Sequence, residues 1–159
     1  AQNAKKPSAA PPTSLIALDI SNSMLSNDVL PTRLQRAQAF ALDLVQALKN
    51  ERIGSIIFAG NAYLQMPLTT DYAASELFIK SANPNQAPTQ GTNIGEAIAI
   101  AEKAFEQSDR NSKVLVLISD GENHDQTALD AAKRSPQQRL INFYNWRRFC
   151  RRRFYSFGF

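Results

Sequence analysis

Two short, unbroken apolar runs, each stopping at a carboxylate, constrain this chain more than any other feature. Leu15-Ile16-Ala17-Leu18 ends in Asp19-Ile20-Ser21-Asn22-Ser23, and Val114-Leu115-Val116-Leu117-Ile118 ends in Ser119-Asp120-Gly121. Apolar runs of this length without polar alternation fit strands buried on both faces, as in parallel sheets covered by helices. They fall far short of the about 20 apolar residues that a membrane-spanning helix needs.

The segments between the runs supply the covering helices. From Arg33 to Lys49, Leu34, Ala37, Ala41, Leu44, Val45 and Leu48 recur at three- and four-residue steps behind a candidate cap, Thr32. Ile53 to Ala59 reads as a central strand, and Gly60-Asn61 as a turn. Ala62 to Leu68 follows as an antiparallel edge strand, because Pro67 has no N–H for a ladder. Asp71 can cap a helix to about Lys80, and Ser81 to Gln90 is a loop broken by Pro84 and Pro88. A further helix starts near Asn93 with Ile94, Ala97, Ile98, Ala101 and Phe105 on one side, and another is expected from about Gln126 to Lys133. Tyr63, Phe40, Phe58 and Phe105 read as core or edge residues. Apolar strands alternating with amphipathic helices imply an α/β fold: a mostly parallel sheet with helices on both faces. Ligands of such sheets sit at the carboxyl ends of the strands, where Asp19 and Asp120 stand.

The 159 residues and 43% hydrophobic content suit one domain. Residues 1–13 lack the apolar core of a signal peptide and read as a flexible arm left by processing or truncation. Cys150 is the single cysteine, which excludes an intramolecular disulfide framework and a thiolate metal site. Residues 134–159 hold seven arginines and no acid; subtracting those seven from the formal charge of +4 leaves residues 1–133 at −3. A basic partner-binding face is therefore no property of the main domain.

Asp19, Ser21 and Ser23 form Asp-x-Ser-x-Ser, with oxygen-bearing side chains at alternate positions directly after a strand. A hard cation such as Mg²⁺ takes near-octahedral oxygen ligation with few carboxylates. Standing alone, the serines would read as helix caps or backbone partners. Two further parts accompany them: Thr92 in Gly91-Thr92-Asn93 at a helix entrance, and Asp120 at a strand end.

With all three parts in order, residues 15–133 resemble the von Willebrand factor A family and its metal-ion-dependent adhesion site. The resemblance implies a three-layer, Rossmann-like fold with domain bounds of 14–133. It implies that Asp19, Ser21, Ser23, Thr92 and Asp120 are the metal positions, holding Mg²⁺ or Mn²⁺ with one position open to an acidic residue of a protein partner. Ala17 to Met24, Arg33-Leu34, Arg52-Ile53-Gly54, Phe58 to Tyr63, Pro88 to Thr92 and Ser119 to His124 resemble the bacterial aerotolerance (Bat-type) proteins. This implies a membrane-anchored protein whose domain is periplasmic, with the flanking anchors outside the present chain, which itself is expected to be soluble.

The tail departs from that pattern. The family continues with helix, a strand of the type Tyr-Thr-Ile-Gly-Val-Gly and a final helix, whereas residues 134–159 are rich in arginine and aromatics without amphipathic order. If the arginines use CGN codons, dropping one base from the codons of Tyr144 to Cys150 permits Thr-Ile-Gly-Val-Gly-Ser-Ala, with a glycine forced by Trp146. A frameshift near Lys133 to Pro136 is expected, leaving the last strand and helix missing or non-native; a non-native strand between Leu140 and Phe149 can fill the gap.

The residues favour a non-enzymatic, metal-dependent protein-interaction domain. For catalysis Ser21 or Ser23 would need a positioned base, and no nucleophile-elbow sequence surrounds them. The lone His124 lacks a second histidine and a cysteine pair with which to hold zinc. One alternative is a Mg²⁺-dependent phosphoryl hydrolase using Asp19 and Asp120, with no added acid, base or phosphate-binding lysine near the motif. Another is nucleic-acid or membrane-surface binding by the basic tail. Nucleic acid is not the expected partner, and contact with a membrane is expected only through anchors.

Overall fold

The structure is a computed structural model that describes residues 12–108, 112–120 and 138–142. Its elements are β1 (Thr13–Asp19), α1 (Arg33–Ala47), β2 (Arg52–Phe58), β3 (Ala62–Thr69), α2 (Tyr72–Ser81), α3 (Ile94–Glu106), β4 (Lys113–Ile118) and β5 (Gln138–Asn142). Short 3₁₀ turns lie at Asn22–Leu25 and Pro84–Gln86.

The sheet order is β3-β2-β1-β4-β5, parallel except for the β2–β3 pair. β1 is paired with β2 from Thr13↔Arg52 to Asp19↔Phe58 and with β4 from Thr13↔Lys113 to Leu18↔Ile118. The chain thus leaves β1 in one direction and later returns on its other side. Strand order reverses between β1 and β4, the point where an open α/β sheet leaves a crevice at its carboxyl end.

Alternation along β1 sorts its side chains between two cores. Ile16 and Leu18 pack with Ala37, Ala41 and Val45 of α1 and Ile79 of α2. Leu15 and Ala17 pack with Ile94, Ala97, Ile98, Ala101 and Phe105 of α3. Each fully buried Leu, Ile or Phe contributes about 1.5–3 kcal/mol of transfer free energy, so β1 is locked from both faces. The two expected helix caps are made, Thr32 accepting from Gln35 N–H and Asp71 from Ala74 N–H, and Asn93, at the expected start of the third helix, caps it by accepting from Glu96 N–H. β3 pairs irregularly with β2 between Ile53 and Ile56, beside Pro67, as expected of an edge strand carrying a proline.

One expectation needs revision. Thr13, assigned to the arm, begins β1 and is buried; its N–H donates to Ser112 O at 2.9 Å and its hydroxyl lies 3.3 Å from that of Ser108. The sheet edge beyond β4 is filled by a strand from the tail segment, as the sequence reading allowed, but it begins two residues earlier: Gln138–Asn142 pairs parallel with β4. The open ladder groups of β4 offer any short β-prone stretch such as Leu140-Ile141 a place to pair. The helix expected from Gln126 to Lys133, His124 and Cys150 lie outside the described residues.

Candidate functional site at the carboxyl end of the sheet

Asp19 is the last residue of β1, and its neighbour Ile20 still donates to Phe58 O at 2.9 Å. The chain then turns sharply. Met24 N–H donates to Ser21 O at 3.0 Å and Ser26 N–H to Ser23 O at 3.1 Å, while the fully buried Met24 pins the turn to the core. That turn brings the alternate oxygens together. Oδ1 of Asp19 accepts from Ser21 N–H at 2.9 Å, and the Oγ atoms of Ser21 and Ser23 lie 3.0 Å apart.

The other oxygen of Asp19, Oδ2, accepts from Ser119 Oγ at 2.5 Å across the β1–β4 junction. Asp19 is completely buried. Burial pushes its carboxyl above the ordinary value of 3.8, opposed by the hydrogen bonds from Ser119 and Ser21 and reinforced by the nearby charge of Asp120. Asp120 follows β4 with its side chain 2% exposed, and its Oδ2 accepts from Arg33 Nη1 at 2.9 Å.

Thr92 arrives on a third segment. Gly60 N–H donates to Thr89 O at 2.9 Å and Asn93 N–H to Ala59 O at 2.7 Å, which docks residues 89–93 on the end of β2. The approach requires two glycines. A Cβ on Gly60 would stand 2.6 Å from Gln90 O, and Gly91 adopts φ +132°, a conformation L side chains rarely enter. Gln90 Oε1 accepts from Asn22 N–H at 3.0 Å, tying this segment to the serine turn. Thr92 is half-buried beside that tie; among the described residues no hydrogen bond joins it to the other four candidates.

The structure therefore joins Asp19, Ser21 and Ser23 directly, sets Asp120 within electrostatic reach of Asp19, and carries Thr92 on an adjoining docked segment. Sequence reasoning missed Ser119, Arg33 and Gln90 as supports. Ser119 and Gln90 had a signal, each being a polar residue within two positions of a predicted ligand, whereas Asp120, the predicted ligand that Arg33 bonds, lies 87 residues from it. Among the described residues no group of three or more His, Cys, Asp or Glu side chains gathers. The donors here are two carboxylates and hydroxyls, a hard oxygen set suited to Mg²⁺ or Mn²⁺ rather than a softer metal. The hydroxyl spacing also fits. Neighbouring ligands of an octahedral ion at about 2.1 Å stand about 3.0 Å apart, and the two serine oxygens already do.

An α/β domain with an oxygen-rich loop cluster at its switch point is the class that fold and site define. Within that class the chain belongs to the von Willebrand factor type A domain family, whose profile matches residues 14–122. It is similar to BatB of Bacteroides thetaiotaomicron, with 42% identity and a TM-score of 0.75, over 81% of this chain and 64% of that one. An aerotolerance-related membrane protein from Bacteroides fragilis gives 39% identity and a TM-score of 0.73, over 81% and 65%. A UPF0353 protein of Mycolicibacterium paratuberculosis is 39% identical over 95 residues, which are 57% of this chain and 26% of that protein. The chain thus spans about a quarter of that curated relative and somewhat under two thirds of the two solved chains. Among the described residues no helix is long and apolar enough to cross a membrane.

Proposed function

We propose that this domain is a divalent-cation-dependent protein-interaction module, in which Asp19, Ser21, Ser23, Thr92 and Asp120 hold Mg²⁺ or Mn²⁺ and a partner's Asp or Glu carboxylate completes the coordination. The observation that carries this reading is the pair of serine hydroxyls at octahedral-edge spacing beside the buried Asp19 carboxylate. A cation bound there would supply positive charge for a partner's carboxylate. The chain's own residues do the rest: Ser119 and Ser21 N–H fix both oxygens of Asp19, and Gln90 holds the threonine segment against the serine turn.

An interaction role suits the site better than hydrolysis, because the hydroxyls of Ser21 and Ser23 pair with each other beside the Asp19 carboxylate, an oxygen set arranged to hold a cation. The likeness to BatB and to an aerotolerance-related membrane protein supports placing the domain in an aerotolerance-type membrane protein, and we place it on the periplasmic side. Titration calorimetry with MgCl₂ tests the metal role. Heat is expected from the wild type and none from Asp19→Ala; equal heats from the two would rule the role out.

A further inference from the structure

Arg33 stands where a cation is disfavoured. It is the first residue of α1, directly after the Thr32 cap, and the first turn of that helix contains no acid. The positive end of a helix dipole repels a guanidinium there. Something must offset that repulsion, and the side chain shows what does. Nη1 donates to the nearly buried Oδ2 of Asp120 at 2.9 Å, while Nε and Nη2 grip the two oxygens of Asp28, each at 2.9 Å. The main chain fixes the base of this fork, because Arg33 N–H donates to Ser26 O at 2.9 Å and closes the loop that holds Asp28.

Asp120 directly follows Ser119, whose hydroxyl bonds Asp19 at 2.5 Å, and both carboxylates are largely out of water. Two such carboxylates need a cation near them. We infer that Arg33 is the resident counter-cation of the site: it balances and orients Asp120 when no metal is bound, and it opposes the charge of a metal ion that enters. This role rests on the metal-binding reading above. Arg33 is then a positioning residue that weakens cation affinity while keeping the empty site assembled. Asp28, outside the proposed ligand set, tunes it from the solvent side by sharing its charge.

Calorimetric titration of the full 159-residue chain with MgCl₂ at low ionic strength tests the inference through variants of opposite expected sign. Arg33→Gln removes the competing charge and should bind Mg²⁺ about tenfold more tightly, while melting at a lower temperature in metal-free buffer. Arg33→Lys keeps the charge and should stay within about twofold of the wild type. Asp28→Asn leaves Arg33 less compensated and should bind about threefold more weakly. An unchanged or weaker affinity in Arg33→Gln, or a tighter one in Asp28→Asn, overturns the inference while leaving the metal reading intact. So does an Arg33→Lys variant that binds as tightly as Arg33→Gln. If Arg33→Gln does not fold, the Asp28→Asn and Arg33→Lys arms decide. Absence of heat from the wild type overturns both the metal reading and this one, and is told apart by that measurement alone.

Discussion

β1 buries polar side chains at both of its ends, and the two ends treat them differently. At the amino end the Thr13 hydroxyl meets that of Ser108, Ser14 donates its hydroxyl to the Glu51 carboxylate, and the main-chain carbonyl of Glu51 accepts from Tyr72 OH at 2.7 Å. Each contact there ties β1 or its neighbour to a surrounding connection. At the carboxyl end Asp19 is as buried as Thr13, yet it is a carboxylate whose surroundings include a second carboxylate and two mutually paired hydroxyls. One end uses buried polarity to close the fold. The other concentrates negative charge where closure would have been less costly with neutral groups, which is the pattern of a site rather than a seam.

Removing the charge at the carboxyl end is the strongest way to break this contrast. Asp19→Asn keeps an acceptor for Ser21 N–H and nearly the same volume, but gives up the charge that burial disfavours. Calorimetry should show Mg²⁺ binding abolished. Thermal unfolding in metal-free buffer at pH 7 should show a midpoint no lower than that of the wild type, since the buried carboxylate costs stability when ionised. A midpoint several degrees lower would mean that Asp19 is a structural group like those at the amino end.

Glycine substitution gives the next largest effect. A Cβ on Gly60 would meet Gln90 O at 2.6 Å and Thr89 O at 2.8 Å, both backbone atoms of the segment that carries Thr92. A Cβ on Gly54, within β2, would meet Leu15 Cδ2 at 2.7 Å and Met66 O at 2.9 Å, away from the site. Each Gly→Ala change should cost about 1–3 kcal/mol in denaturant unfolding, the usual range for overpacking. Gly60→Ala should also weaken Mg²⁺ binding, whereas Gly54→Ala should leave it unaltered. Equal Mg²⁺ affinities in the two variants would detach the threonine segment from the site.

How much of this was legible in the sequence follows from the range of each interaction. The strand runs, the helix faces, the caps Thr32 and Asp71 and the helix start at Asn93 depend on residues within a turn or two of one another, so periodicity and residue type reveal them. The clustering of Asp19, Ser21 and Ser23 is likewise local. The bond from Ser119 to Asp19 spans 100 positions and that from Arg33 to Asp120 spans 87, so only the sheet order could bring them together. β5 was legible only as a possible strand from about Leu140, with its bounds unread. Parallel pairing of Gln138–Asn142 depends on an open edge of β4 rather than on any strong pattern of its own.

The smallest expected effect separates the two carboxylates by the direction of their titration. Arg33 beside Asp28 lowers the Asp28 carboxyl from 3.8 to about 2, aided by the Ser26 hydroxyl. Between those values the unfolded chain binds more protons at Asp28 than the folded one, so stability from this group rises with pH. It is fully present above the unfolded value and lost as pH falls through about 2. Asp19 runs the other way. Its raised carboxyl makes the folded state hold the proton longer, so its contribution to stability falls as pH climbs above 3.8. Urea unfolding at stepped pH should therefore show the wild type and Asp28→Asn converging from pH 4 down toward 2, by a small amount because Asp28 faces solvent. Wild type and Asp19→Asn should diverge as pH rises above 4. Parallel curves for both pairs would place the two acids in equivalent settings, and the buried charge at the carboxyl end of β1 would then have no energetic counterpart.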